Sequence, residues 1–273
     1  DSSTLVDLSQ ATVKKQQYYN FDVCAKLTQF IRRVEPKGVT VSVGGEIGEV
    51  GHKNSTPEEL RVFMDGFKER LRKGLTGISK ISVQTGTSHG GVVLPDGSIA
   101  QVALDFDTLK TLSEISRKEY GLSGAVQHGA STLPSAAFHK FAECETAEVH
   151  LATEFQNMIY DSRHFPPELK EKIYQWLKIN AASERKDGET DEQFFYKTRK
   201  KALGPFKREI MGLPDSLRDA IALELEAKFD FLFKQLNVVN KKELTDTHTH
   251  LKRVIARKRK EGREIVHDGE GAD

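Results

Sequence analysis

The apolar positions of this chain switch between two periods, one near 3.6 and one near 2. Over residues 12–33, Tyr19, Val23, Leu27, Phe30 and Ile31 recur at steps that predict an amphipathic helix, ended by Pro36 and Gly38. Val39, Val41 and Val43 then alternate and run into Gly44-Gly45-Glu46-Ile47-Gly48, the pattern of a buried strand opening into a glycine-rich loop. Ser55 or Thr56 is placed to cap the next helix, with Pro57 at its first position, Glu58 and Glu59 in its first turn, and Lys73 and Gly74 at its close. The unit recurs: a strand over 78–83, a long loop over 86–105, a helix over 106–120 stopped by Gly121, a strand over 125–127, a helix over 134–144, a strand over 149–152 and a helix over 153–160. Strand alternating with helix in this way predicts parallel βαβ units.

From Pro166 the strand pattern disappears, and helices are expected over 168–180, 191–203 and 214–236, the last with Leu217, Ile221, Leu225, Phe229 and Phe233 along one side. The expected division is therefore an α/β portion over residues 1–165 and a helical C-terminal extension over 166–273, with 264–273 fraying. Counting a strand that would end at Asp1, the first portion holds five strands, whereas a closed parallel barrel needs about eight. The helix over 12–33 has an apolar face with no strand before it to receive it. Either the sheet is open or the sequence begins midway through a barrel; the second is the expectation, the C-terminal portion of a barrel of about five βα units with the N-terminal strands missing and with poor solubility on its own.

Composition narrows the class. With 273 residues, 37% hydrophobic, 30% charged and eight prolines, the chain reads as globular. No apolar run approaches the ~20 residues of a membrane span, and residues 1–10 lack the features of a secretory signal. Two cysteines, Cys24 and Cys144, make no disulfide framework and fall on predicted helices, where buried thiols are expected; a cytoplasmic protein follows. A net charge of +1 gives no global field for nucleic acid. The basic run over 252–263 lacks interleaved aromatics and reads as a solvated helix face. Asp246-Thr247-His248-Thr249-His250 has the spacing of a metal-binding D-x-H-x-H, but Lys241-Lys242-Glu243 precedes it where an apolar strand is needed, so an exposed helix start is expected. Trp176 and Phe194-Phe195-Tyr196 are expected to pack the extension.

Chemistry concentrates in the loops after the strands, where parallel α/β proteins build their sites. Gly86-Thr87-Ser88-His89-Gly90 follows one strand and His128-Gly129-Ala130-Ser131 another, so two histidines stand at equivalent strand ends, each followed by glycine. An imidazole there suits a metal ion, and the glycine leaves its backbone N–H open to a phosphate oxygen.

These blocks, in this order, resemble the class II aldolases that act on fructose- or tagatose-bisphosphate. Gly45-Glu46-Ile47-Gly48-Glu49-Val50-Gly51 is similar to the family's E-[IL]-G-x-x-G-G loop. Gly86 to Gly90 is similar to its G-T-[SA]-H-G motif, and His128 to Ser131 to H-G-[GA]-S. Residues 149–156 resemble its I-N-V-N-T-E-L-Q strand, and Asp1-Ser2-Ser3-Thr4-Leu5 its D-x-S-x-L; the resemblance covers about 1–161. It implies a TIM barrel and, for the intact parent protein, a zinc-dependent aldehyde-lyase of carbohydrate metabolism with Zn2+ as cofactor, the chain as given being expected to be inactive. That enzyme cleaves fructose 1,6-bisphosphate or tagatose 1,6-bisphosphate to dihydroxyacetone phosphate and glyceraldehyde 3-phosphate. The resemblance also implies a homo-oligomer, a dimer or larger, with no nucleic-acid or membrane partner. By the same resemblance His89 and His128 would be metal ligands, Glu46 and Asp1 would hold a second or alternative metal position, and Gly90, Gly129, Ser131 and Thr153 would line the phosphate site. His150 stands where the family has a substrate-contacting asparagine. The family's Asp-His pair has no counterpart, leaving the catalytic residues unknown, and Asn54 replaces the mobile-loop glutamate and cannot take a proton. The alternative is a non-catalytic sugar-phosphate-binding or scaffold relative.

Overall fold

The computed structural model describes residues 2–48, 53–86, 94–95 and 104–249, apart from the side chain of Thr132. Asp1, His89 and Gly90, three of the predicted site residues, and His250 lie outside the described residues.

The chain opens with a 3-10 turn, Ser3–Leu5, then α1 (Val13–Gln16) and α2 (Tyr18–Val34). The predicted helix is thus broken at Gln17. Its buried side is also not the predicted one: Tyr19, Leu27 and Phe30 are exposed, while Phe21, Cys24, Ala25 and Thr28 are buried. The reason is a close approach to α3 (Pro57–Arg70), where Gly66 lies under the Phe21 ring so tightly that a Cβ would sit 2.6 Å from Phe21 Cε1. Helix α3 starts on a capping box in which Thr56 Oγ1 accepts from Glu59 N at 3.2 Å and Glu59 Oε2 accepts from Thr56 N at 2.7 Å. Ser55 is instead spent on the sheet, accepting from Gln84 N at 2.9 Å.

Four parallel strands follow one another in space in chain order: β1 (Gly44–Glu46), β2 (Lys80–Val83), β3 (Ala125–Gln127) and β4 (Glu148–Val149). The fifth expected strand was placed before Asp1, outside the described residues. The valine alternation over 39–43 is not part of the ladder. Val41 donates its N–H to Glu35 Oε2 (2.8 Å) and offers its carbonyl to Arg32 Nη1 (2.8 Å), so side chains of the α2 end take its backbone groups and the strand begins at Gly44. Strand β4, Glu148–Val149, is shorter than its predicted span, and α6 begins at the predicted Thr153.

Helix α4 (Phe106–Tyr120) is capped by Asp105, which accepts from Thr108 N at 2.9 Å, and ends at Gly121 in the left-handed region, φ +68°. A 3-10 turn at Ser135–Ala137 replaces the start of the next predicted helix, leaving α5 (His139–Glu143); α6 (Thr153–Asp161) follows β4. On one side of the sheet Ile81, Val83 and Ala125 meet Leu60, Phe63, Phe67, Leu109 and Leu112 in one apolar cluster. Each such buried side chain contributes ~1.5–3 kcal/mol.

The remaining helices are α7 (Pro167–Asn180), α8 (Asp191–Thr198, continued by a 3-10 turn to Leu203), α9 (Lys207–Met211), α10 (Asp215–Gln235) and α11 (Lys242–His248). They gather a second cluster around Phe165, Ile173, Leu177, Phe194, Phe206 and Ile221, into which Tyr160 of α6 also inserts. Trp176 packs edge-on against Phe206 here, with centroids 5.9 Å apart. Of the apolar side expected of α10, Ile221 is buried in the second cluster with Leu225 packed against it, and Phe229 and Phe233 are exposed, while Leu232, not among the residues expected there, is buried in the first cluster. Asp246 and His248 lie on the exposed α11. Among the described residues no helix is long and apolar enough to cross a membrane.

Candidate functional site

The face of the sheet opposite the helices carries polar side chains in rows. Glu46, Ser82, Val126 and Glu148 are consecutive register partners across β1 to β4. His128 and His150 each come two residues later in their own strand direction, so they point to the same face one step closer to the C-terminal end. Burial of Ile81, Val83 and Ala125 on the helix side fixes this alternation, because a one-residue slip would exchange the two faces.

His128 Nδ1 lies 3.7 Å from Glu46 Oε2 and 3.5 Å from Ser82 Oγ. The His128 and His150 rings stack with centroids 4.5 Å apart and planes at 28°. His150 Nε2 is 2.9 Å from Glu148 Oε2, and Lys80 Nζ pairs with the other oxygen of that carboxylate. Burial acts to raise the Glu148 carboxyl, but the bonds from Lys80 and His150 outweigh it and hold the group below the usual carboxylate range.

The backbone under Glu46 is fixed from α2. Asn20 Nδ2 donates to Glu46 O at 2.8 Å and Gln17 Nε2 to Ile47 O at 3.0 Å, while Ser2 Oγ donates to Asn20 Oδ1 at 2.7 Å. Gln17 and Asn20 are fully buried polar residues, so these bonds are both obligatory and directional.

Gly129 takes φ +68°, the left-handed turn that starts the 3-10 segment Ala130–Thr132 immediately after His128. Ser131 Oγ accepts from Ala152 N at 3.3 Å, which brings it to the residue before Thr153 at the start of α6. The phosphate-site residues predicted after two different strands therefore meet on one rim. Asn54 is turned away from proton chemistry: its Nδ2 donates to Asp105 Oδ2 at 2.8 Å. Beyond Ser131 a cavity of about 780 Å³ opens between α6, α7 and α8. Its ring faces are already used, since Tyr174 and Phe195 stack on each other at 4.1 Å and carry Lys170 and Lys178 outside.

Of the predicted site residues, Glu46, His128 and His150 are thus brought together and Gly129, Ser131 and Thr153 form the adjacent rim. Lys80, Glu148, Asn20 and Gln17 were not predicted. The available signal was a lone charge at the first position of each of the two strands β2 and β4. The donor set suits a divalent ion in part: ligands at ~2.1 Å and tetrahedral angles stand ~3.4 Å apart, close to the Glu46–His128 spacing of 3.7 Å. Among the described residues no group of three or more His, Cys, Asp or Glu side chains is placed to hold a metal ion.

The sequence profile of the family described as fructose-bisphosphate aldolase class-II matches residues 2–207. Comparison with curated protein sequences gave no match. Among solved structures, the chain is 15% identical to the YdjI aldolase from Escherichia coli K12, covering 69% of this chain and 54% of that one with a TM-score of 0.34. It is 19% identical to fructose-bisphosphate aldolase from Campylobacter jejuni, over 86% of this chain and 60% of that one, TM-score 0.45. A probable tagatose 6 phosphate kinase from Sinorhizobium meliloti 1021 is 14% identical over 85% of this chain and 67% of that one, TM-score 0.53, a likeness of fold. The chain spans between 54% and 67% of the length of these three structures.

Proposed function

The chain belongs to the class II fructose-bisphosphate aldolase family, and from that premise we propose that the polar end of its sheet is the site of a metal-dependent aldehyde-lyase acting on a ketose bisphosphate, fructose 1,6- or tagatose 1,6-bisphosphate. The observation that carries the reading is the approach of the Glu46 carboxylate to the His128 imidazole, 3.7 Å, at the C-terminal end of a parallel sheet. In this reading His128 and His89 would hold a divalent ion, zinc by family resemblance, and Glu46 with Asp1 would serve its second or alternative position. A bound ion supplies Lewis-acid polarisation of the ketose carbonyl. The backbone N–H of Gly129 and the hydroxyls of Ser131 and Thr153 hold a phosphate group at the start of α6, where the helix dipole favours an anion. The Ala152–Ser131 bond keeps the two halves of that rim together.

In this scheme residues 1–165 are the barrel portion that carries the chemistry, and residues 166–273 are the C-terminal extension. The protein is proposed to work in the cytoplasm as a homo-oligomer, for which the exposed Tyr19, Leu27, Phe30 and Val34 of α2 offer an apolar face.

One observation favours a second reading, a ligand-binding relative without lyase activity. Asn54, where the family has a loop carboxylate, is committed as a donor to Asp105 and moves no proton. Cleavage of both bisphosphates, followed by triose-phosphate release with and without chelator, separates the two. Chelator-sensitive release that falls at least ~100-fold in His128→Ala supports the lyase. Tight binding of ketose bisphosphate without release supports the second reading, and neither binding nor release removes both.

A further inference from the structure

A second polar region lies at the other end of the sheet, and Arg32 is its frame. With a side chain only 5% exposed, Arg32 pairs with Glu35 Oε2 at 2.7 Å. It also donates to the carbonyls of Val41 (2.8 Å), Thr76 (2.8 Å) and Gly77 (3.1 Å), backbone that leads into β1 and β2. The C-terminal end of α2 is thereby fixed at the N-terminal end of the strands, opposite Glu46 and His128. Between α2 and the loop after α3 opens a cavity of about 500 Å³ lined by Lys26, Arg32, Arg33 and Arg72, and among the described residues no carboxylate lines it. Two of these charges are already balanced, Arg32 by Glu35 and Lys26 by Asp22, whose Oδ2 lies 2.6 Å from Nζ. Arg33 and Arg72 have no carboxylate partner among the described residues. Arg33 Cζ lies over the Phe30 ring, 5.1 Å from its centre, a contact that restrains the guanidinium while its N–H donors stay available. Arg72 is held through its backbone N–H, which donates to Gln29 Oε1 at 3.3 Å. An arginine in the last turn of a helix is accounted for by the helix dipole, so Arg33 taken alone needs no other reason. Arg72 belongs to a different element, and the Gln29 bond that brings it to the same cavity answers no demand of that dipole.

We propose that this cavity binds a diphosphate ester, its two phosphoryl groups taken by Arg33 and Arg72. A guanidinium presents a planar fork of donors that matches two oxygens of one phosphoryl group, and two such forks on separate elements suit two linked groups. The cavity, at about 500 Å³, falls within the ~300–1,000 Å³ of sites that hold whole organic ligands. Phe30 and Leu75 give it an apolar wall for the rest of the ester. Because it stands at the opposite end of the sheet from Glu46 and His128, the inference does not rest on the lyase reading.

The test is calorimetric titration of the full chain with ADP, pyrophosphate and orthophosphate. One equivalent of ADP is expected to bind, more tightly than pyrophosphate, with orthophosphate at least ~10-fold weaker than pyrophosphate because one guanidinium contact is lost. Arg33→Gln and Arg72→Gln, both at exposed positions, are each expected to weaken ADP binding at least ~10-fold. Lys15→Gln removes the same charge from α1, away from the cavity, and Ser131→Ala alters the phosphate rim at the other end of the sheet; both are expected to leave ADP binding within about twofold of the wild type. An equal loss in Lys15→Gln would show attraction by net charge alone, and a loss in Ser131→Ala would put the ligand on the phosphate rim. Either result overturns the proposal, as does the absence of ADP binding or of any preference among the three probes.

Discussion

Asn54 holds Asp105, and Asp105 holds the first turn of α4. Asp105 Oδ1 accepts from Thr108 N at 2.9 Å and Oδ2 from Thr108 Oγ1 at 2.7 Å, so three donors converge on one carboxylate. An aspartate or glutamate at position 54 would set a second negative charge against it. Asn54→Asp is expected to lower stability by ~1–2 kcal/mol, and Asn54→Ala by about half that, as read by denaturant midpoints. The Thr108 bonds, backbone first, and then Asn54 hold the Asp105 carboxyl below the usual range. For a carboxyl lowered by folding, the stabilisation is complete above its unfolded value near ~3.9 and is lost as pH falls through the folded value. Asp105→Asn keeps the cap but not the charge, so its melting temperature should fall less than that of the wild type between about pH 5 and about pH 2.5. At this scale Glu46, His128 and Ser131 could be named as candidates from the sequence because each stands in a short block that resembles a family motif. Lys80 and Glu148 were not, because they meet across 68 residues and only the sheet register joins them.

The packing of α2 on α3 shows why the pattern of an element can be read correctly and its face wrongly. Residues 12–33 carry apolar side chains on two sides, and periodicity alone could not choose between them. What chose was Gly66, a gap in α3 that only a ring at Phe21 fills. Gly66→Ala places a Cβ 2.6 Å from that ring. Overpacking costs ~1–3 kcal/mol and exceeds the ~1 kcal/mol that alanine gains in a helix. A net loss on the order of 1–2 kcal/mol is expected, recovered in part by Phe21→Leu in the double variant. The valines over 39–43 were legible as extended chain, but the hydrogen bonds from Glu35 and Arg32 to Val41 involve side chains that a period-2 pattern does not register.

Across the molecule, the two apolar clusters do not part at residue 165. Tyr160 of α6 is buried in the second cluster, and Leu232 near the end of α10 is buried in the first. The family match also runs past that boundary, to residue 207. Leu232→Ala is therefore expected to destabilise the whole cooperative unit by ~2–4 kcal/mol. Near-ultraviolet circular dichroism and far-ultraviolet helix signal should lose structure together, where separate bodies would give two transitions. The alternation of strand and helix was legible because each period is local. The way α10 splits its apolar residues between two cores was not, since that depends on α6 and other elements that lie tens of residues earlier in the chain.

The central claim is that Glu46 and His128 belong to one divalent-metal site at the polar end of the sheet. Its most direct test is equilibrium binding of zinc, followed calorimetrically in the wild type, His128→Ala, Glu46→Ala and Asn54→Ala. One ion per chain is expected in the wild type, with affinity at least ~10-fold lower in His128→Ala and Glu46→Ala and unchanged in Asn54→Ala. Zinc binding that is indifferent to both His128 and Glu46 would contradict the account.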